Sequence, residues 1–168
     1  MRLQTNPMDD FVDAVIEDDQ WLSVNLADLA DKVCAASLHG FGLDPTEYEI
    51  ALLGCNDQRI AALNADFRAK PTPTNVLSWP EIDLAAENDG DMPSAPSTGE
   101  LGNIAIAYET CRAEAHAQNK TFSDHVSHLL VHGTLHLLGF DHIRQKDAAL
   151  IEGFEVKILA SLGIKNPY

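Results

Sequence analysis

From His125 to Phe140 the chain carries no Lys, Arg, Asp or Glu, although 22% of its residues are charged. A helix that is apolar nearly all round has to be buried. This segment is therefore a central element, and the rest of the fold must wrap around it. Thr121 and Asp124 stand at the spacing of a capping box, with Asp in place of the usual Glu, and mark its start. Gly139 can end it in the left-handed conformation.

The same segment is rich in histidine. Imidazoles inside a dry helix are costly unless something satisfies them. His132 and His136 are four apart, which puts both rings on one helical face, one turn apart. After the break at Gly139 the chain turns back, and His142 comes within reach of the same point. Three neutral nitrogens converging in this way suit a divalent cation, Zn²⁺ foremost, with one ion per chain. Three protein ligands leave a fourth position open, which is the catalytic rather than the structural arrangement. The competing reading is a set of hydrogen-bonded core histidines. The metal reading makes the chain a metal-dependent hydrolase. His128, one turn before His132, is expected to be a hydrogen-bonded core residue rather than a group backing the ligands. His125 is expected to be partly buried. His39 and His116 carry no signal.

The remaining pattern places this helix in a layered fold. A short strand is expected over 11–18. Asn25 opens a helix that Gly40 or Gly42 ends. A buried strand covers 48–55, and Asn56 or Asp57 caps a helix with Ile60, Leu63 and Phe67 on its inner face. Residues 68–75 form a loop stiffened by two prolines. Strands follow at 76–79 and 101–107, separated by an acidic, proline-containing loop at 80–100 whose composition reads as mobile. Helices cover 108–118 and 146–162, the latter with Leu150, Ile151, Phe154, Ile158 and Leu162, and Gly163 as its stop. Such mixing suggests an α/β or α+β layer fold. The expectation is α+β, with a small mixed sheet of about four strands packed with helices around the histidine-bearing helix. The length of 168 residues favours a single domain over 1–168.

Net charge is −15, from 26 acids and 11 bases, which disfavours loose binding to a polyanion. A nucleic-acid partner would need a local cationic patch. Cys34, Cys55 and Cys111 are scattered and read as reduced, buried thiols. The N-terminus is acidic and lacks an apolar signal core, and no apolar run is long enough to span a bilayer. The expected setting is the cytoplasm, away from membranes.

The spacing H-x3-H-x2-G-x2-H is also that of the metzincin proteases. Those enzymes carry Glu directly after the first histidine as general base. Gly133 stands there instead, so a metalloprotease is the weaker reading. The full segment H-G-T-L-H-L-L-G-F-D-H, His132 to His142, resembles the signature H-G-x-L-H-L-x-G-[YF]-D-H of the YbeY family of bacterial endoribonucleases. Arg68 with Pro73-Thr74-Asn75-Val76-Leu77-Ser78-Trp79-Pro80 is similar to that family's R-x4-P-T-[DN]-V-L-S-F-P, with Trp79 for Phe. Leu101-Gly102-Asn103-Ile104 is similar to its L-G-D-I, with Asn103 for Asp. The last helix also agrees, so the resemblance runs from Val15 to Gly163.

The resemblance implies a zinc-dependent, single-strand-specific endoribonuclease that acts in rRNA maturation, at the 3′ end of 16S rRNA, and in ribosome quality control. Its partners would be single-stranded RNA and the small ribosomal subunit with its proteins, not DNA. It implies zinc on His132, His136 and His142, and a catalytic role for Arg68, whose guanidinium suits a phosphate. Lys70 would add local charge. Thr74 and Ser78 are expected to cap the loop, and Asp141 to fix the turn or orient a ligand histidine. Asn103 lacks the charge of the family's aspartate. The rival from another class is a non-catalytic, zinc-stabilised ribosome assembly factor.

Overall fold

The computed structural model describes residues 11–168. The first ten residues of the acidic N-terminal stretch, read above for its missing signal core, lie outside the described residues. The described residues form β1 (Val12–Ile16), α1 (Leu26–His39), β2 (Tyr48–Cys55), α2 (Asp57–Arg68), β3 (Val76–Pro80), β4 (Gly99–Ala107), α3 (Tyr108–Ala117), α4 (Phe122–Leu137) and α5 (Gln145–Ser161). The sheet has the order β1-β2-β4-β3, with β1, β2 and β4 parallel and β3 antiparallel to β4. The α+β architecture with a small mixed sheet is therefore as expected.

Strand alternation decides which face is covered. On β2, Tyr48, Ile50 and Leu52 are buried, while Glu49 and Ala51 are exposed. The inward set joins α1, α4 and α5 in the main core. A smaller cluster of Cys55, Ile60, Leu77, Ala105 and Ala107 includes Ile60 of α2. Helix α4 packs on α1, α3, α5, β3 and β4, the central place that its lack of charge demands. Val126, Leu130, Val131, Leu135 and Leu137 are all at 0% exposure. Burying one such side chain contributes about 1.5–3 kcal/mol, so a charge placed among them would remove much of a domain's net stability. The three cysteines are free and buried, as expected. No helix among the described residues is long and apolar enough to cross a membrane.

Several boundaries differ from the sequence reading, each for a local reason. The first strand stops at Ile16, because Asp18 turns to accept from the Gln20 amide and starts a 3-10 turn at Asp19–Val24. That turn buries Trp21, whose indole nitrogen donates to the Cys55 carbonyl at 2.9 Å. Helix α2 runs through Arg68, so this residue is helical rather than part of the loop. Ala69 then adopts the left-handed conformation at φ 56°, and Pro71 prevents continuation. Phe67, expected on the inner face with Ile60, is 63% exposed.

The acidic segment between β3 and β4 is tied to the start of α5. Asp89 accepts from the amides of Lys146 (3.3 Å) and Asp147 (2.8 Å), and Asp147 accepts from the Gly90 amide (2.8 Å). Arg144 donates to the carbonyls of Ala86 and Glu87. Helix α5 has no side-chain cap from its own N-cap residue. A distant aspartate thus satisfies its first amides, the job a local cap usually performs.

Candidate metal centre

Helix α4 begins where Thr121 accepts from the Asp124 amide, as the capping pattern predicts. It ends in a Schellman motif. The Gly139 amide donates to the His136 carbonyl and the Phe140 amide to the Leu135 carbonyl. Gly139 has φ 101°, and a Cβ there would lie 2.8 Å from Leu84 and Pro93. Only glycine makes this turn with the acidic loop packed against it. The turn returns the chain so that His142 meets the helix it has just left.

The geometry brings together the three histidines that the spacing selected. Nε2 of His136 lies 2.9 Å from Nε2 of His132 and 3.2 Å from Nδ1 of His142. One ligand atom from each lies within 4.8 Å of the others, so the group could hold a metal ion. The donor set fits a divalent ion in its protonation as well. Burial first, then the imidazoles of His132 and His142, push His136 down to about 4. Its ring is neutral at neutral pH, with a lone pair to offer.

Glu155, on α5, is the residue that the sequence reading missed. Its Oε1 lies 2.7 Å from Nδ1 of His132, and the carboxylate has 0% exposure. A carboxylate only accepts, so Nδ1 carries the proton and Nε2 of His132 is free to bind a cation. Burial alone would raise the Glu155 carboxyl. Hydrogen bonds from His128, His132 and Tyr168 outweigh it and hold the group at about 2. The Tyr168 hydroxyl donates to Oε2 at 2.5 Å. His128 lies 3.4 Å from Glu155 and 3.3 Å from the Tyr168 hydroxyl. It is hydrogen-bonded, but rather than sitting apart as a core residue it is half-buried, lines the histidine cleft and touches the carboxylate behind His132. His125 is more buried than the sequence suggested, at 3% exposure, because Glu114 reaches in to meet its Nε2 at 2.9 Å. A signal for Glu155 existed. It sits four after Ile151 and three before Ile158, an acid on the apolar stripe of its helix.

The histidines open on a cleft of about 640 Å³ that is also lined by Arg68, Thr74, Ser78, Trp79, Asp141 and Tyr168. Arg68 is exposed, is the one Lys or Arg among the lining residues, and has no ion-pair partner among the described residues. Lys70 does not line the cleft. Asp141 accepts from the His142 amide at 2.7 Å, a turn-fixing contact. Asn103 lies elsewhere, in a separate acidic hollow with Asp13, Glu49, Glu81 and Glu100. Gly133 is buried, and a Cβ there would lie 3.2 Å from Ile104 of β4. The position at which a metzincin carries its glutamate therefore faces the sheet.

A mixed four-stranded sheet, a buried helix and three converging imidazoles define the class: an α+β protein whose central helix and following turn present a site able to hold a metal ion. The family model described as Endoribonuclease YbeY matches residues 14–163, and the chain belongs to the YbeY family. A curated relative from Ruegeria pomeroyi, named Endoribonuclease YbeY, is 57% identical over 94% of this chain and 97% of its own. A second of the same name, from Paracoccus denitrificans, is 50% identical over 95% and 90%. The solution structure of a Thermotoga maritima protein matches with a TM-score of 0.55 at 17% identity, covering 90% of this chain and 91% of that one, which supports the fold.

Proposed function

We propose that this protein is a zinc-dependent endoribonuclease specific for single strands. His132, His136 and His142 hold one Zn²⁺ per chain, and Arg68 is the catalytic residue that engages the scissile phosphate. The observation that carries the reading is the meeting, in one cleft, of three converging imidazoles with a guanidinium that has no ion-pair partner among the described residues. The family's name supplies the reaction.

When bound, zinc supplies Lewis-acid chemistry, polarising a phosphoryl oxygen and acidifying water. The protein supplies the rest. Glu155 fixes the tautomer and angle of His132. Arg68 offers planar, paired donors to a phosphate and stabilises charge as it develops there. The hydroxyls of Thr74 and Ser78 line the same cleft.

A net charge of −15 disfavours loose binding to RNA, so the cationic groups of this cleft would have to do the holding. Weak binding to free RNA follows, with placement by a partner. The partner proposed is the small ribosomal subunit, with the 3′ end of 16S rRNA as target, in the cytoplasm, in rRNA maturation and ribosome quality control. Metal content by mass spectrometry and cleavage of single-stranded RNA test the reading. About one zinc per chain is expected, lost together with cleavage in His136→Ala. Arg68→Ala should keep the zinc and lose cleavage. Zinc without cleavage would favour a non-catalytic assembly factor, and absence of zinc would end the metal reading.

A further inference from the structure

Phe67 is the anomaly of α2. Its spacing from Ile60 and Leu63 assigns it to the inner face, yet it is 63% exposed and joins neither hydrophobic cluster. Its ring meets that of Trp79 with centroids 5.2 Å apart and planes at 61°. Trp79, on β3, is itself only half-buried. Both rings line the histidine cleft beside Arg68, and exposed Tyr168 and Ile143 line it too. Single exposed apolar residues are ordinary. Two aromatic rings in contact, beside an exposed cation and inside a cleft, are a specific arrangement. With their planes at 61°, they offer one ring face for a base to stack on and a second ring to meet it from the side, next to a site for negative charge. A nucleotide has both complements, an aromatic base and a phosphate.

We propose that Phe67 and Trp79 form a stacking subsite for an unpaired nucleobase whose phosphate is held by Arg68. This rests on the RNA reading above and deepens it. A base inside a duplex has both faces covered by its neighbours, so only a single strand can lay a base on these rings. The subsite therefore supplies a physical cause for strand selectivity. Every base has a π-face, so it selects for single strands without selecting sequence.

The chain has two tryptophans, and Trp21 is at 0% exposure, so Trp79 is the indole a ligand can reach. The test titrates the purified full chain with a 2′-O-methyl tetra-adenylate and with an abasic strand of the same length, following tryptophan emission. The tetra-adenylate should quench saturably and the abasic strand should not. Phe67→Ala should weaken tetra-adenylate binding by about tenfold, and Phe67→Tyr should restore it. Phe67 is exposed, so the fold tolerates the change, and unchanged thermal unfolding verifies this. Equal quenching by the abasic strand, or unaltered affinity in Phe67→Ala, overturns the subsite. Quenching by bases in a zinc-loaded protein that cleaves no RNA would leave the subsite standing and reject the catalytic reading. Cleavage of single-stranded RNA without base-dependent quenching would do the reverse.

Discussion

His132 reaches the cluster from a buried helix, its Nδ1 on a carboxylate with no exposure, whereas His142 reaches it from a turn with 56% of its side chain in solvent. His132 is fixed in angle and tautomer before any cation arrives. His142 is placed through its backbone amide, which donates to the Asp141 carboxylate, and by the loop packed against Gly139. One side of the site is preorganised and the other can adjust. The same contrast runs across the cleft, where both oxygens of the Glu155 carboxylate have partners and Arg68 and Phe67 are left to solvent.

The hardest way to break the comparison is to remove its buried anchor. Glu155→Ala should destabilise the protein by about 3 kcal/mol and lower zinc affinity by about 10–100-fold, read by denaturant titration and competitive chelation. Glu155→Gln should soften both losses and expose a pH signature. Held at about 2, the Glu155 carboxyl gives stability that is complete above its ordinary value of 4.5 and is lost as pH falls toward 2. That part of the acid limb should vanish in Glu155→Gln.

Next in size is the contrast between the two proposed ligands, His132 and His142. His132→Ala and His142→Ala should both abolish zinc binding. The first strands a buried carboxylate and should cost about 2 kcal/mol; the second should stay within about 0.5 kcal/mol of the parent. Equal losses in urea melts would erase the distinction drawn here. The narrowest effect concerns the start of α5. Asp89→Ala removes the cap lent to α5 and should cost about 1 kcal/mol. Hydrogen exchange should quicken around Lys146 and Asp147 while the amides of α4 keep their protection.

The sequence was most legible where a physical requirement was local. A charge-free helix must be central, and a four-residue spacing followed by a glycine turn must bring His132, His136 and His142 together; both hold in the structure. Legibility failed where the partner was remote. Glu155 acts on a ring 23 residues away, and an acid on an amphipathic helix reads first as solvated. Tyr168 follows the last helix with no pattern to betray its target. Asp89 caps a helix more than fifty residues downstream, which no local motif encodes. Phe67 misled because helical spacing tells which face a residue takes, not whether anything lies there to cover it. Arg68 was found by its family motif, and its composition-poor surroundings alone would not have marked it.

Glu155 also sets an order of events. During synthesis the segment that bears all three histidines emerges before the helix that bears their carboxylate. A nascent chain caught between the two has the donors but not the acceptor, and the face of α4 that α5 covers is still bare. Full orientation of the three imidazoles then belongs only to chains in which α5 has docked on α4, so a helix made later completes a group laid down earlier in the chain.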